Sequence, residues 1–222
     1  VLSSILIGLT TTLLIFYFAN PQIKNIYQHG ESIGIGYNQI FAIISTPTAI
    51  AADSTGNVYV IDHRDETVQK FTTNGTFVKE WDTQRTRMSD LIPSDMAADN
   101  TGNVYVIDHG DETVQKFTTD GTFVKEWDTQ ITKISSVIPT AIAADSAGSV
   151  YVLDHGDETV QKFTTDGTFV KEWDVHKTKI SPVIPTAIAA DSAGSVYVID
   201  AGSNRVQKFT TDGTFVKEWN IN

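Results

Sequence analysis

Three five-residue segments hold the side chains best suited to chemistry. They are Asp62-His63-Arg64-Asp65-Glu66, Asp108-His109-Gly110-Asp111-Glu112 and Asp154-His155-Gly156-Asp157-Glu158. Imidazole and carboxylate together form a common ligand set for divalent ions. A metal held by His63, His109 and His155 would activate water for a lyase or hydrolase reaction. The plainer reading is that the leading aspartate closes a turn by accepting backbone N–H groups, while the Asp-Glu pair is solvated. We favour the plainer reading, because a duplicated sequence repeats any surface residue whether or not it functions. The fourth counterpart, Asp200-Ala201-Gly202-Ser203-Asn204, has no histidine.

A second set of candidates is basic. Three 11-residue connections, DTQRTRMSDLI from Asp82, DTQITKISSVI from Asp128 and DVHKTKISPVI from Asp174, carry Arg85, Arg87, Lys133, Lys177 and Lys179. Long variable loops on a rigid scaffold are where binding specificity usually resides. The binding face is therefore expected to combine these cations with His63, Asp65, Glu66, His109, Asp111, Glu112, His155, Asp157 and Glu158, and to take a protein, peptide or glycan. No Gly-x-Ser-x-Gly, phosphate-loop or His-Glu-x-x-His motif is present, so no catalytic residue is assigned and no cofactor is expected unless a divalent cation binds. Asn74-Gly75-Thr76 fits an N-glycosylation acceptor, and Asp53 to Asn57 reads as a turn, since it lacks the terminal Glu of a calcium loop.

The elements that position these residues are set by a repeat. Pro47, Pro93, Pro139 and Pro185 advance by 46, as do Trp81, Trp127, Trp173 and Trp219, the four tryptophans of the chain. A fixed period of this size marks one supersecondary unit that must stack on its neighbours to bury its apolar face. In the third copy, PTAIAAD (Pro139 to Asp145) and VYVLD (Val150 to Asp154) flank a Gly-containing turn, and TVQKF (Thr159 to Phe163) and TFVKEW (Thr168 to Trp173) flank Thr-Thr-Asp-Gly. Both pairs read as hairpins, giving four antiparallel strands, a to d, in each unit. Four strands per unit of about 40–50 residues predict a β-propeller blade. Strand b, apolar at nearly every position, is expected to be covered on both faces, and the repeated Phe and Trp to fill the gaps between blades. The b–c and d–a connections then share one face.

Residues 185–219, PTAIAADSAGSVYVIDAGSNRVQKFTTDGTFVKEW, resemble an NHL repeat in their Pro-Thr start, Val-Tyr-Val core, Asn-Arg-Val-Gln-Lys-Phe strand and aromatic close. The resemblance extends over residues 47–222 and implies a propeller, most often six-bladed, used chiefly as a recognition surface. It also implies a comparison with propeller lyases that hold a metal through histidines of different blades. In those the ligand histidine falls several residues beyond the strand-b aspartate, whereas here it follows immediately. Two departures stand out: the glycine after Pro-Thr is Ala49, Ala141 and Ala187, with Asp95 in the second copy, and the Asn204-Arg205 pair occurs in the last copy alone. Ubiquitin ligases and RNA-binding regulators also carry such propellers. The chain has no cysteine for the ligases' zinc modules and no basic excess for RNA.

The expected fold class is therefore all-β, four full blades (47–92, 93–138, 139–184 and 185–222) after a linker and degenerate half blade over 20–46. Residues 23–36, IKNIYQHGESIGIG, align on the strand c and d sequence that follows, and supply the half blade. Such a chain either closes a ring of four or five blades or leaves an arc of an incomplete six-bladed ring, which needs more chain or a partner, self-association being one way to supply it. The formal charge of -11 lies wholly on the repeats, since Lys24 and Glu31 cancel in residues 1 to 46; nucleic acid is not an expected partner. Residues 1–19 carry no charge and as a helix would reach roughly 28 Å, which reads as a transmembrane anchor or a signal segment. We favour the anchor, because no Lys or Arg precedes the apolar run. The repeats are then extracytoplasmic, either membrane-anchored or secreted.

Overall fold

The computed structural model describes residues 46–83, 92–129, 138–175 and 183–221. The apolar segment 1–19 and the half blade expected within 20–46 lie outside the described residues. Blade 1 consists of β1 (Pro47–Ala52), β2 (Val58–Asp62), β3 (Thr67–Phe71) and β4 (Phe77–Asp82). Blade 2 holds β5 (Pro93–Ala98), β6 (Asn103–Asp108), β7 (Thr113–Thr118) and β8 (Phe123–Asp128), and blade 3 holds β9 (Pro139–Ala144), β10 (Val150–Asp154), β11 (Thr159–Phe163) and β12 (Phe169–Asp174). Blade 4 comprises β13 (Pro185–Ala190), β14 (Val196–Asp200), β15 (Arg205–Phe209) and β16 (Phe215–Asn220). Each blade is one antiparallel sheet in chain order, as the paired β-prone runs predict.

Strand a of the third copy stops one residue short of its expected end, and the reason is chemical. The Asp145 N–H donates to Ser149 O, and its Oδ1 accepts from the N–H groups of Ala147 and Ser149. This aspartate belongs to the turn. Its Oδ2 takes the hydroxyl of Tyr151 at 2.8 Å, a bond repeated by Tyr59–Asp53, Tyr105–Asp99 and Tyr197–Asp191. A buried tyrosine hydroxyl needs such a partner, so one residue both closes the a–b turn and satisfies the core.

The core lies between blades rather than within them. Tyr59, Ile61, Val68 and Trp81 of blade 1 pack with Met96, Val104, Val106 and Phe117 of blade 2, and the same arrangement joins blades 2 to 3 and 3 to 4. Strand b is covered on both faces in the middle of the array, where all five residues of β10 are buried. The indoles of blades 1 to 3 meet the next blade's strand-c phenylalanine, with ring centroids 6.2 Å apart for Trp81–Phe117, 6.0 Å for Trp127–Phe163 and 6.2 Å for Trp173–Phe209. The aromatics therefore act as inter-blade filler, as expected.

The c–d turn completes each boundary. Gly121, Gly167 and Gly213 have φ near +80° and sit against Trp81, Trp127 and Trp173, so that a Cβ would fall 2.5–2.6 Å from the indole. Only glycine satisfies both the backbone and the approach. Lysines fasten the same joint: Lys70, Lys116 and Lys162 Nζ donate to the carbonyls of Thr119, Thr165 and Thr211 at 2.8, 2.7 and 2.9 Å. Lys79, Lys125 and Lys171 donate to Asp120, Asp166 and Asp212 carbonyls one residue further on.

Candidate loop face

The aspartate that opens each b–c turn is its cap. Asp108 Oδ1 accepts from the N–H groups of Ile92, Gly110 and Asp111 at 3.1, 2.9 and 3.2 Å, and Asp154 Oδ1 from Ile138, Gly156 and Asp157 at 3.1, 2.8 and 3.2 Å. Asp62 Oδ1 accepts from the N–H groups of Thr46, Arg64 and Asp65 in blade 1, and Asp200 Oδ1 from those of Ile184 and Gly202 in blade 4. The fifth turn residue is forced into the left-handed region, at φ 55°, 56°, 57° and 52° for Glu66, Glu112, Glu158 and Asn204. Of these residues, only asparagine adopts that conformation readily.

These turns also fix the ends of the 11-residue connections. The Thr83 N–H donates to Glu66 O, and the His63 N–H to Thr46 O, so the turn is tied to both the exit of strand d and the entry of strand a. The b–c turns and the anchored ends of the d–a connections thus share one face. Each histidine reaches across a boundary: Nδ1 of His63, His109 and His155 lies 3.4, 3.4 and 3.2 Å from the carbonyl oxygens of Pro93, Pro139 and Pro185.

The predicted site residues are dispersed along this face. His63 and His109 are half-buried and His155 is exposed; Asp65 is exposed, Asp111 buried, and Glu66, Glu112, Asp157 and Glu158 are half-buried. Arg85, Arg87, Lys133, Lys177 and Lys179 lie outside the described residues. Among the described residues, no group of three His, Cys, Asp or Glu comes together in a way that could hold a metal ion.

A feature not anticipated from sequence lies on the inner strands. Thr48, Ile50, Ser94, Asp95, Thr140 and Ile142 are among the residues lining a depression of about 430 Å³ that runs across all four blades. Asp95 Oδ2 accepts the Ile142 N–H at 2.8 Å, linking β5 to β9. Burial pushes the Asp95 carboxyl up, and the N–H groups of Ile142 and Met96 only partly offset it. The signal was present as a break in the repeat: Ser94-Asp95-Met96 replaces the Thr-Ala-Ile of the other three copies.

The fold is similar to that of several solved structures. Streptogramin B lyase superposes with a TM-score of 0.65 at 19% identity, over 82% of this chain and 57% of that one. A catalytically inactive virginiamycin B lyase from Staphylococcus aureus, solved with quinupristin, gives 0.63 at 16% identity over 79% of this chain and 55% of that one. A protein of unknown function from Bacteroides caccae gives 0.57 at 14% identity, over 79% and 61%. The chain thus spans less than two thirds of each of these structures. No curated protein is similar enough in sequence to match. The NHL repeat model matches residues 184–209, and blade 4 therefore carries an NHL repeat.

Proposed function

We propose that this chain is a non-catalytic binding or scaffold module that recognises a protein, peptide or glycan through its b–c and d–a loop face. The observation that carries this reading is the construction of the b–c turns. In each, one aspartate binds three backbone N–H groups in blades 2 and 3, leaving the neighbouring carboxylates on a fixed rim beside the anchored ends of long connections. Rigid presentation of variable loops suits recognition. A strand-b aspartate so engaged and a histidine directed at a proline carbonyl lend no support to a metal-dependent lyase or hydrolase. The apolar residues 1–19 support an extracytoplasmic placement, anchored or secreted, and the acidic charge disfavours nucleic acid.

Arrays of peptides and glycans probed with the full chain test this reading. A ligand should be retained by the native protein and lost when Asp65, Glu66, Glu112, Asp157 and Glu158 are all replaced by alanine. Stabilisation of the native fold by added zinc, manganese or calcium, as linkage requires of a folded-state site, would instead favour the metal-dependent reading.

A further inference from the structure

The c–d turns read Thr-Thr-Asp-Gly-Thr at 118–122, 164–168 and 210–214, but Thr72-Thr73-Asn74-Gly75-Thr76 in blade 1. All four share one backbone: the glycine N–H donates to the carbonyl of the first threonine, and the N–H of that threonine donates to the carbonyl of the last. The side chains differ. Asp120, Asp166 and Asp212 each accept the hydroxyl of the first threonine and the N–H of the last, and the Thr122 hydroxyl is tied to Asp120 as well. In blade 1 the Asn74 amide and the Thr76 hydroxyl have no hydrogen-bond partner among the described residues. One change from aspartate to asparagine thus makes Asn74-Gly75-Thr76 the only Asn-x-Ser/Thr among the 222 residues. Packing of a blade against the turn does not close the position. Asp120, Asp166 and Asp212 are exposed, although Gly121, Gly167 and Gly213 beside them are pressed against the preceding blade's tryptophan. Asn74 is exposed in the same way, and the same turn holds it outward whatever precedes blade 1.

We propose that Asn74 is an N-glycosylation site, and that the donor is an oligosaccharide carried on a lipid diphosphate. Asn74 Nδ2 attacks the anomeric carbon of that sugar. The N–C bond forms as the bond from this carbon to the diphosphate oxygen breaks; the lipid diphosphate leaves with the electron pair, and the amide gives up one proton. The hydroxyl two residues after the acceptor is part of what the transferring enzyme reads, and the Thr76 hydroxyl is free where that of Thr122 is held by an aspartate. A glycan is bulky and belongs on a surface turn. The c–d turns lie at the opposite ends of the strands from the b–c turns, so the sugar leaves the loop face uncovered. Transfer requires the extracytoplasmic placement of the repeats proposed above and rests on that reading.

Mass spectrometry of the full chain isolated from its own cells tests the site. Trypsin, cutting after Lys70 and Lys79, releases Phe71 to Lys79, FTTNGTFVK, and this peptide should carry sugar. Enzymatic release of the sugar in heavy-oxygen water should leave an aspartate bearing the heavy isotope. That label sets it apart from FTTDGTFVK, the identical peptide that blades 2 to 4 all yield. Thr76→Ala should abolish the modification, and Thr76→Ser should keep it. Sugar that survives Thr76→Ala, as attachment to a threonine hydroxyl would, overturns the proposal. So does an unmodified peptide, or one converted to aspartate without the isotope, the product of spontaneous deamidation at Asn74-Gly75. Protease digestion of sealed membrane vesicles locates the repeats independently. An unmodified peptide on extracytoplasmic repeats overturns the glycan alone, whereas cytoplasmic repeats overturn the placement with it.

Discussion

At the residue scale, Asp99 and Asp95 are shifted in opposite directions, Asp99 down and Asp95 up. Burial pushes Asp99 up, but hydrogen bonds from Asn103, Tyr105 and Thr101 more than reverse this, leaving it below the usual carboxylate range. Its contribution to stability is present above the unfolded value near 4 and is lost as pH falls through the lower folded value. Asp99→Asn should therefore destabilise the protein by about 1–3 kcal/mol at neutral pH, since it loses charge-assisted bonds, and narrow the gap to the native protein in acid. Thermal melting from pH 7 to 2 measures this. The left-handed glutamates are a separate case. Glu158, at φ 57°, occupies the position held by Asn204 in blade 4, so Glu158→Asn should stabilise by about 0.5–1 kcal/mol in chemical denaturation. Neither strain nor relief was visible in the Asp-Glu dipeptide itself; the asparagine of the fourth copy was the available hint.

At the element scale, the hairpins were legible because their signals are local. Asp-Gly turns and short β-prone runs specify β11 and β12 almost to the residue, and the a–b turn departs from expectation only where Asp145 exchanges strand for cap. The joints between elements were not legible, since they connect residues 30 to 49 positions apart. Asp95 shows the consequence. It bridges inner strands β5 and β9 from a position where the other copies hold alanine. Its folded pKa lies above the unfolded one, so the native state binds more protons between the two values, and the contribution of Asp95 to stability falls as pH rises through that interval. Asp95→Ala should consequently gain stability relative to the native protein as pH increases from 4 to neutrality. Parallel urea titrations at several pH values would reveal that slope, and an invariant difference would count against it.

At the scale of the whole molecule, stability is distributed unevenly. Blades 2 and 3 are packed on both sides, and their strand-b residues Val104 to Ile107 and Val150 to Leu153 are fully buried. Blade 1 exposes Ile50 and blade 4 exposes Ile199 and Trp219. In a stacked array each unit depends on its neighbours, so native-state hydrogen exchange should protect β6 and β10 most strongly and β1 and β16 least. The loop face follows the same logic, as its b–c turns are held by hydrogen bonds within a blade and by histidine contacts between blades.

By itself the sequence determined the repeat, the four-stranded blade and the turn-closing role of the leading aspartates, because strand alternation, glycine turns and side chain to backbone bonds act over a few residues. The tertiary structure alone decided that His63, His109 and His155 face proline carbonyls of the next blade, that Asp95 ties two inner strands, and that Gly121, Gly167 and Gly213 receive the tryptophans of the preceding blades. The physical reason is that these meetings depend on how one sheet is rotated against the next, and that geometry is set by the packing of side chains drawn from separate repeats.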